Sequence, residues 1–163
     1  MKTLYLVSAC LAGASTRFDG QASPEQDILS LVREGRAIPI CPEQLGGLTT
    51  PRLPAEIIGG HGGDVLDGKA RVINSSGEDV TTAFIEGAQE AKRLAEKWQI
   101  GGAILKSKSP SCGLYSIYDG SFGGRLQQGP GVTAALLEKA GLKLFDENTW
   151  RAHIAHGRLK EGV

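Results

Sequence analysis

The segment GAILKSKSPSCG, residues 102–113, decides how the rest of this sequence is organised. Its first four residues, Gly102–Leu105, form a short apolar run, which is typical of a strand buried in a parallel sheet. Lys106 follows directly and opens a polar loop that contains Pro110 and reaches Cys112. The segment therefore predicts a buried strand whose carboxyl end runs into a polar loop that carries a cysteine.

Two earlier segments repeat this arrangement of a strand followed by a cysteine. Thr3–Ser8 has the pattern of a core strand and is followed by Cys10. Ala37–Ile40 is a second short strand that runs into Cys41 and Pro42. Because proline has no N–H group for a central ladder, this strand is expected to end at the cysteine. Each of the three cysteines thus lies at or just beyond the carboxyl end of a predicted strand.

Helical patterns separate the strands. Helices are predicted over residues 24–34, after the N-cap candidate Ser23, over 79–99, and over 132–139, before Gly141. Short strands are predicted at 71–74 and 142–145, a loop without periodicity over 49–68, and a terminal helix over 147–156. Strands that alternate with helices indicate one α/β domain over residues 1–163, with a Rossmann-like, mostly parallel sheet and flanking helices.

Charge and cysteine content exclude several classes of protein. Lys plus Arg and Asp plus Glu are equal at 18 each among 163 residues, so no basic field favours duplex nucleic acid. No apolar run has the length of a membrane span, and the first apolar stretch is too short for a signal peptide. We therefore expect no membrane partner and a cytoplasmic location. An odd cysteine count argues against a disulfide framework.

The three cysteines are expected to meet, because loops at the carboxyl ends of parallel strands converge where ligands bind. Three interpretations of the cysteines are open. They are unrelated buried thiols, the ligands of a zinc ion or the ligands of an iron–sulfur cluster. The CxxC spacing of a zinc ribbon is absent. In the predicted arrangement of strands and helices, the three histidines are poor candidates for a fourth ligand; they are His61, His153 and His156. A cluster held by three cysteines leaves one iron free to act as a Lewis acid toward a substrate atom.

Two kinds of polar residue lie beside the predicted thiol site. Glu43, two residues after Cys41, is either a solvated loop carboxylate or a general acid/base. Ser109 and Ser111 precede Cys112, where turn formation around the intervening proline is the ordinary interpretation. The spacing leaves both interpretations open.

Cations near the same loops are candidates for binding a phosphate. Lys106 and Lys108 lie on the Cys112 loop, and Arg17 follows the Cys10 loop. The Gly-Pro-Gly segment 129–131 leads into the helix over 132–139, whose first N–H groups are expected to face an anion. Together with the hydroxyl of Ser111, these cations are the predicted substrate-binding residues. The alternative is that the lysines are solvated surface charges.

Eight motifs resemble the DUF523 family, whose characterised members are thiouracil desulfidases. In order they are VSACLAG (7–13), RFDG (17–20), PICPEQLGGL (39–48), PRLPAEI (51–57), GEDVTTAF (77–84), AILKSKSPSCG (103–113), IYDGSF (117–122) and GPGVTAALL (129–137). Many relatives carry a further cysteine just before the segment matching RFDG, where this chain has Thr16. Because the family cluster uses three cysteines, this difference should not abolish it.

The resemblance implies a [4Fe–4S] cluster on Cys10, Cys41 and Cys112, with the fourth iron open to the sulfur of a thiocarbonyl substrate. It also implies that Glu43 and Ser109 are catalytic. The implied reaction is a non-redox hydrolysis in which C=S becomes C=O and sulfide is released. The implied substrates are 2-thiouracil or a thiolated nucleotide such as 4-thiouridine monophosphate.

Two other functions remain open at the level of the sequence. One is a zinc- or cluster-containing nucleotide-binding module without turnover, and the other is a thiol enzyme that uses a single cysteine. Colour separates them, because a cluster protein purified without oxygen is brown, whereas zinc and free-thiol proteins are colourless.

Overall fold

A computed structural model describes residues 3–155 and 158–159 of the chain. Its elements, in chain order, are β1 (Tyr5–Ser8), a 3₁₀ turn (Ala9–Ala12), α1 (Gln26–Arg33), β2 (Ala37–Ile40), α2 (Pro42–Leu45), β3 (Ala55–Ile58), α3 (Gly62–Leu66), β4 (Arg71–Asn74), α4 (Thr81–Lys97), β5 (Gly102–Leu105), β6 (Ser116–Tyr118), β7 (Leu126–Gln128), α5 (Val132–Lys139), β8 (Lys143–Asp146), a second 3₁₀ turn (Trp150–Ala152), β9 (Ile154–Ala155) and β10 (Arg158–Leu159).

The central sheet has four parallel strands in the order β2-β1-β5-β8. Within it, Leu6 lies opposite Ile38 on one side and Ala103 on the other. This arrangement confirms the predicted α/β class with a Rossmann-like sheet. It also places β1 between β2 and β5, so that the carboxyl ends of these three parallel strands lie at one edge.

Helices cover both faces of this sheet. Successive residues of β1 point to opposite faces and therefore pack in two different cores. Tyr5 and Val7 pack with apolar residues of α1, such as Ile28, on one face. Leu6 packs on the opposite face with residues of α4 and α5, including Leu137. A third core joins α3, α4 and the small sheet of β3 and β4. None of the helices in the described residues is long and apolar enough to span a membrane.

Several elements match their predicted bounds and others do not. The strands over 37–40, 71–74 and 102–105 and the helix over 132–139 are confirmed to the residue. The predicted loop over 49–68 is wrong, because it contains β3 and α3. These elements are too short to show a period, and two glycines begin α3.

The predicted terminal helix over 147–156 is also wrong. A 3₁₀ turn and β9 occupy residues 150–152 and 154–155, and residue 156 lies outside the described part of the chain. An antiparallel hairpin of β6 and β7 was not predicted at all. Its strands have three residues each, which is below the length at which alternation is visible.

A close backbone contact fixes the short helix α2, which carries Glu43. A Cβ atom on Gly46 would overlap the carbonyl group of Ala83, and one on Gly87 would overlap the carbonyl group of Pro42. Only glycine at both positions lets α2 and α4 approach to backbone contact. The segment that follows Cys41 is therefore held rigidly against the longest helix.

Candidate active site

Three cysteines line one pocket of about 570 Å³ at the carboxyl edge of the parallel sheet. Cys10 lies in the 3₁₀ turn after β1, Cys41 lies between β2 and α2, and Cys112 lies in the loop after β5. The structure thus brings together thiols that are far apart in sequence. All three are free, and Cys10 and Cys112 are buried.

Burial keeps these thiols protonated. It raises the pKa of Cys10 to about 11, raises that of Cys41, and raises that of Cys112 well above its usual range. The charge of Glu43 raises all three pKa values further, whereas Lys106 lowers that of Cys10. Binding of a metal centre to the thiolates must therefore release protons.

Three thiols that line one pocket are a donor set that suits an iron–sulfur cluster. Within residues 3–155 and 158–159, no three His, Cys, Asp or Glu side chains converge closely enough to hold a single ion. In a cluster each cysteine binds a different iron, so its ligands need only face a common space. Cys10, Cys41 and Cys112 meet that requirement as lining residues of one pocket.

The two histidines that the structure describes, His61 and His153, do not line this pocket. The Nδ1 atom of His61 accepts a hydrogen bond from the Gly63 N–H group at the start of α3. His153 stacks on Phe145 with 5.3 Å between ring centroids, and neither histidine lines the pocket. His156 lies outside the described residues.

Glu43 is held in the pocket by an arginine. Arg52 Nη2 donates to Glu43 Oε2 at 3.2 Å, and the two side chains are only 10% and 12% exposed. The same nitrogen donates to the carbonyl oxygen of Thr16 at 3.1 Å, and that oxygen also accepts from Cys41 Sγ at 3.8 Å. Arg52 Nη1 donates to Thr50 Oγ1 at 2.8 Å. The guanidinium therefore joins the carboxylate to the backbone beside a pocket thiol.

Ser109 is oriented by the loop that carries Cys112. Its Oγ atom accepts hydrogen bonds from the backbone N–H groups of Ser111 and Cys112, at 3.1 and 3.0 Å. A serine hydroxyl has two acceptor lone pairs and one proton. Since both lone pairs are used, Ser109 can offer the pocket only its proton. It is built as a hydrogen-bond donor, not as a base.

The predicted substrate-binding residues differ in their availability. Lys106 makes an ion pair with Glu147 at 3.2 Å. Arg17 makes an ion pair with Asp19 at 3.1 Å and lines the pocket. Lys108 also lines the pocket, is exposed, and has no ion pair within the described part of the chain.

Glu147 keeps Lys106 in place. Its carboxylate also accepts bonds from the N–H group and the hydroxyl of Ser107 at 2.9 and 3.0 Å. Burial alone would raise the pKa of Glu147, but the Ser107 backbone bond and the charge of Lys106 bring it below the usual value. Lys106 is thus committed to an internal carboxylate.

Two expectations about phosphate binding do not match the geometry. Ser111 is fully buried, does not line the pocket, and its hydroxyl pairs with Thr133 Oγ1 at 2.8 Å. The start of α5 does not face an anion, because its N–H groups are already bonded. Val132 and Thr133 donate to the carbonyl oxygens of Pro110 and Ser111, both at 2.9 Å. The Cys112 loop itself caps this helix.

The pocket has two walls of different origin. The cysteine wall consists of pocket-lining residues in 8–10, 41–43 and 106–112, which follow the parallel strands. The rim wall consists of pocket-lining residues in 52–56, Asn74, Tyr118 and Gly124. Sequence reasoning assigned no role to Arg52 or Glu56, although both lie in the PRLPAEI motif (51–57).

Fold and pocket together define an α/β protein with a thiol-rich ligand pocket at the carboxyl edge of a parallel sheet. The chain belongs to the 2-thiouracil desulfurase family, whose model matches residues 5–149. It is similar to a solved structure of the [4Fe-4S]-dependent thiouracil desulfidase TudS (DUF523), with 42% identity and a TM-score of 0.80. The match covers 90% of this chain and 92% of TudS. The predicted resemblance is confirmed.

A relative from Bacillus subtilis (strain 168) is also similar. This protein, the uncharacterized YbbK, is 48% identical over 145 residues, which are 89% of this chain and 96% of YbbK.

Proposed function

We propose that the protein is a [4Fe–4S]-dependent desulfidase that hydrolyses the C=S group of a thiolated uracil or its nucleotide. Water supplies the oxygen of the new C=O group, and the displaced sulfur leaves as sulfide. No net oxidation or reduction takes place. The observation that supports this most strongly is the meeting of Cys10, Cys41, Cys112, Glu43 and Ser109 on one pocket in a member of this family.

The cofactor belongs to the cysteine wall. Cys10, Cys41 and Cys112 would hold the cluster, because they are the thiols of the pocket and face a common space. Once bound, a three-cysteine cluster would supply an open iron that acts as a Lewis acid toward the substrate sulfur. We place the reaction in the cytoplasm, since reduced thiols are the rule there.

Glu43 would take the proton from the attacking water. Its Oε2 atom is bonded to Arg52, which leaves Oε1 as the atom that can face the water. The ion pair fixes the direction of the carboxylate and compensates part of its charge beside the pocket thiols. A positioned base of this kind contributes about 10²–10⁴-fold to a rate.

Ser109 would donate its proton in a hydrogen bond to the substrate ring. Because the Ser111 and Cys112 N–H groups occupy its lone pairs, the hydroxyl proton points away from the loop backbone. A donor aimed at a ring atom stabilises the negative charge that develops when water adds to the thiocarbonyl carbon. Ser109 acts here as a donor and does not relay protons.

Lys108 and Arg17 are the proposed phosphate ligands for a thiolated nucleotide such as 4-thiouridine monophosphate. Both line the pocket, and Lys108 is free of ion pairs within the described residues. Lys106 would act through its charge from the position set by Glu147, and Ser111 would shape the loop from the core.

Purification without oxygen tests the proposal directly. We expect a brown protein with about four irons and four acid-labile sulfides per chain. This protein should convert 2-thiouracil to uracil and release one sulfide per turnover. A colourless zinc protein would contradict the cofactor. A brown protein that binds thiolated pyrimidines without releasing sulfide would be a binding module.

A further inference from the structure

A buried carboxylate in the rim wall has one oxygen that the protein does not use. Glu56 lies on β3, is 9% exposed, and lines the pocket. Its Oε1 atom accepts hydrogen bonds from the backbone N–H groups of Gly120 and Phe122, at 3.0 and 3.2 Å. These bonds fasten the loop between β6 and β7 to the pocket rim. Within the described residues, the Oε2 atom of Glu56 makes no hydrogen bond.

The charge of Glu56 is also uncompensated by a cation. No Lys, Arg or His of the described chain makes an ion pair with it. A carboxylate can accept about four hydrogen bonds, and two are made. Oε2 is not among the buried side-chain atoms without a partner in the described residues, so it is accessible from the pocket and free to accept a hydrogen bond from a ligand there.

The side chain of Asn74, the neighbouring polar group of the rim, is engaged in a local turn and makes no hydrogen bond to Glu56. Asn74 uses its side-chain oxygen for the N–H groups of Ser76 and Glu78 and its side-chain nitrogen for Glu78 Oε1. Glu56 is therefore a buried carboxylate of the rim wall that keeps spare acceptor capacity within the described residues. A ligand that lies between the cysteine wall and the rim wall would meet this capacity with an N–H group.

We propose that Glu56 Oε2 accepts the N3–H group of the pyrimidine ring and so selects uracil-type thioamides. This inference rests on the proposed function, because it identifies the ring that the pocket holds. The N3–H group adjoins the thiocarbonyl carbon in both 2-thiouracil and 4-thiouracil, so one acceptor serves either substrate. A site built around such a bond rejects analogues that lack the donor, since its buried acceptor would be left unpaired.

Glu56→Gln separates recognition of the ring from fastening of the loop. The glutamine carbonyl can still accept from Gly120 and Phe122, while the pocket-facing oxygen becomes an N–H donor that opposes the ring N3–H group. We expect unchanged iron content and an unchanged melting temperature, but a dissociation constant for uracil raised about tenfold or more. The matched control is Glu86→Gln, which removes the same charge from an exposed position on α4 outside the pocket.

A comparison of two methylated substrates provides a second test, in the unsubstituted enzyme. 1-Methyl-2-thiouracil keeps the N3–H group and 3-methyl-2-thiouracil lacks it. The enzyme should prefer the former in kcat/KM by at least about tenfold, and Glu56→Gln should reduce this preference.

Equal use of both methylated substrates by the holoenzyme would overturn the proposal, whether or not Glu56→Gln folds. So would a Glu56→Gln protein that binds uracil as tightly as its parent. An iron-replete enzyme that binds uracil but releases no sulfide would contradict the proposed function and leave the uracil titration to decide the role of Glu56.

Discussion

The cysteine wall and the rim wall line one pocket but are built differently. The cysteine wall continues three adjacent parallel strands, and its loops are tied by backbone bonds to the sheet and to the start of α5. The rim wall comes from short antiparallel pairs and the loops beside them, and it is tied by side chains, chiefly Arg52 and Glu56. The first wall holds the candidate metal ligands, and the second holds Arg52 and Glu56, for which we propose roles in orienting the base and recognising the ring.

The two kinds of structure suit two different requirements. Cluster ligands must keep fixed positions, and a backbone that is bonded throughout provides them. In the proposed site, recognition of the ring and orientation of the base would each depend on a single side chain, so they can reside on less regular structure. If this division is correct, loss of a cysteine from the cysteine wall removes the cofactor, whereas changes in the rim wall alter rates and preferences with the cofactor intact.

The largest effect is expected at the thiols. Cys10→Ser, Cys41→Ser and Cys112→Ser should each lose the iron and all activity, because two cysteines are too few to anchor a cluster. Iron analysis and the visible spectrum after anaerobic purification measure this. Serine is nearly isosteric, so circular dichroism should match that of the unsubstituted protein stripped of iron by a chelator. A variant that keeps full iron would remove that cysteine from the ligand set.

The next effect is expected at the base. Glu43→Gln should keep the brown cluster and lose about 100-fold or more in kcat, since the amide cannot accept the proton from water. Single-turnover release of sulfide at saturating substrate measures it, with Glu86→Gln as the charge-matched control. A near-normal rate with full iron would assign the base role to another group.

The sequence predicted the cysteine wall far better than the rim wall, for physical reasons. Buried parallel strands such as Gly102–Leu105 appear as continuous apolar runs, and their loops must meet at one edge, so the convergence of Cys10, Cys41 and Cys112 followed from topology. Their role as cluster ligands stays a prediction.

The rim wall gave no such signal. Strand β3 reads Ala-Glu-Ile-Ile, and its Glu56 is fastened to backbone groups 64 and 66 residues away. Arg52 donates a hydrogen bond to Glu43, a contact that no local sequence pattern predicts. For the same reason the start of α5 looked free for an anion, although long-range carbonyl groups of the Cys112 loop occupy it.

A third, smaller effect should connect the two walls. Arg52→Met removes the partner of Glu43 and should lower kcat by about tenfold while KM changes little and iron is retained. Arg52→Lys keeps the charge but loses the forked geometry, so it should recover only part of the rate. Guanidinium added to Arg52→Ala should restore activity if the lost group positions Glu43. A parallel loss of iron in all three variants would mean that Arg52 only supports the fold.

The smallest effect concerns the phosphate. Lys108 adopts a left-handed backbone conformation with φ of 66°, which is unfavourable for a side-chain-bearing residue and is kept where structure or function requires it. Arg17 shares its charge with Asp19 and donates to Ser23 Oγ at 3.1 Å, so it is partly neutralised already. Of the two cations, Lys108 should contribute more to phosphate binding.

An exposed cation is screened by solvent, so its contribution to binding is modest. The ratio of kcat/KM for 4-thiouridine monophosphate to that for 4-thiouridine should fall by about three- to tenfold in Lys108→Ala and by less in Arg17→Ala. Added salt should reduce the same ratio in the unsubstituted enzyme, because exposed ion pairs weaken as ionic strength rises. Lys139→Ala, at an exposed site near the end of α5, is the matched control. If the unsubstituted enzyme gains nothing from the phosphate, the pocket accepts a bare base; if it gains and neither variant narrows the gap, another group holds the anion.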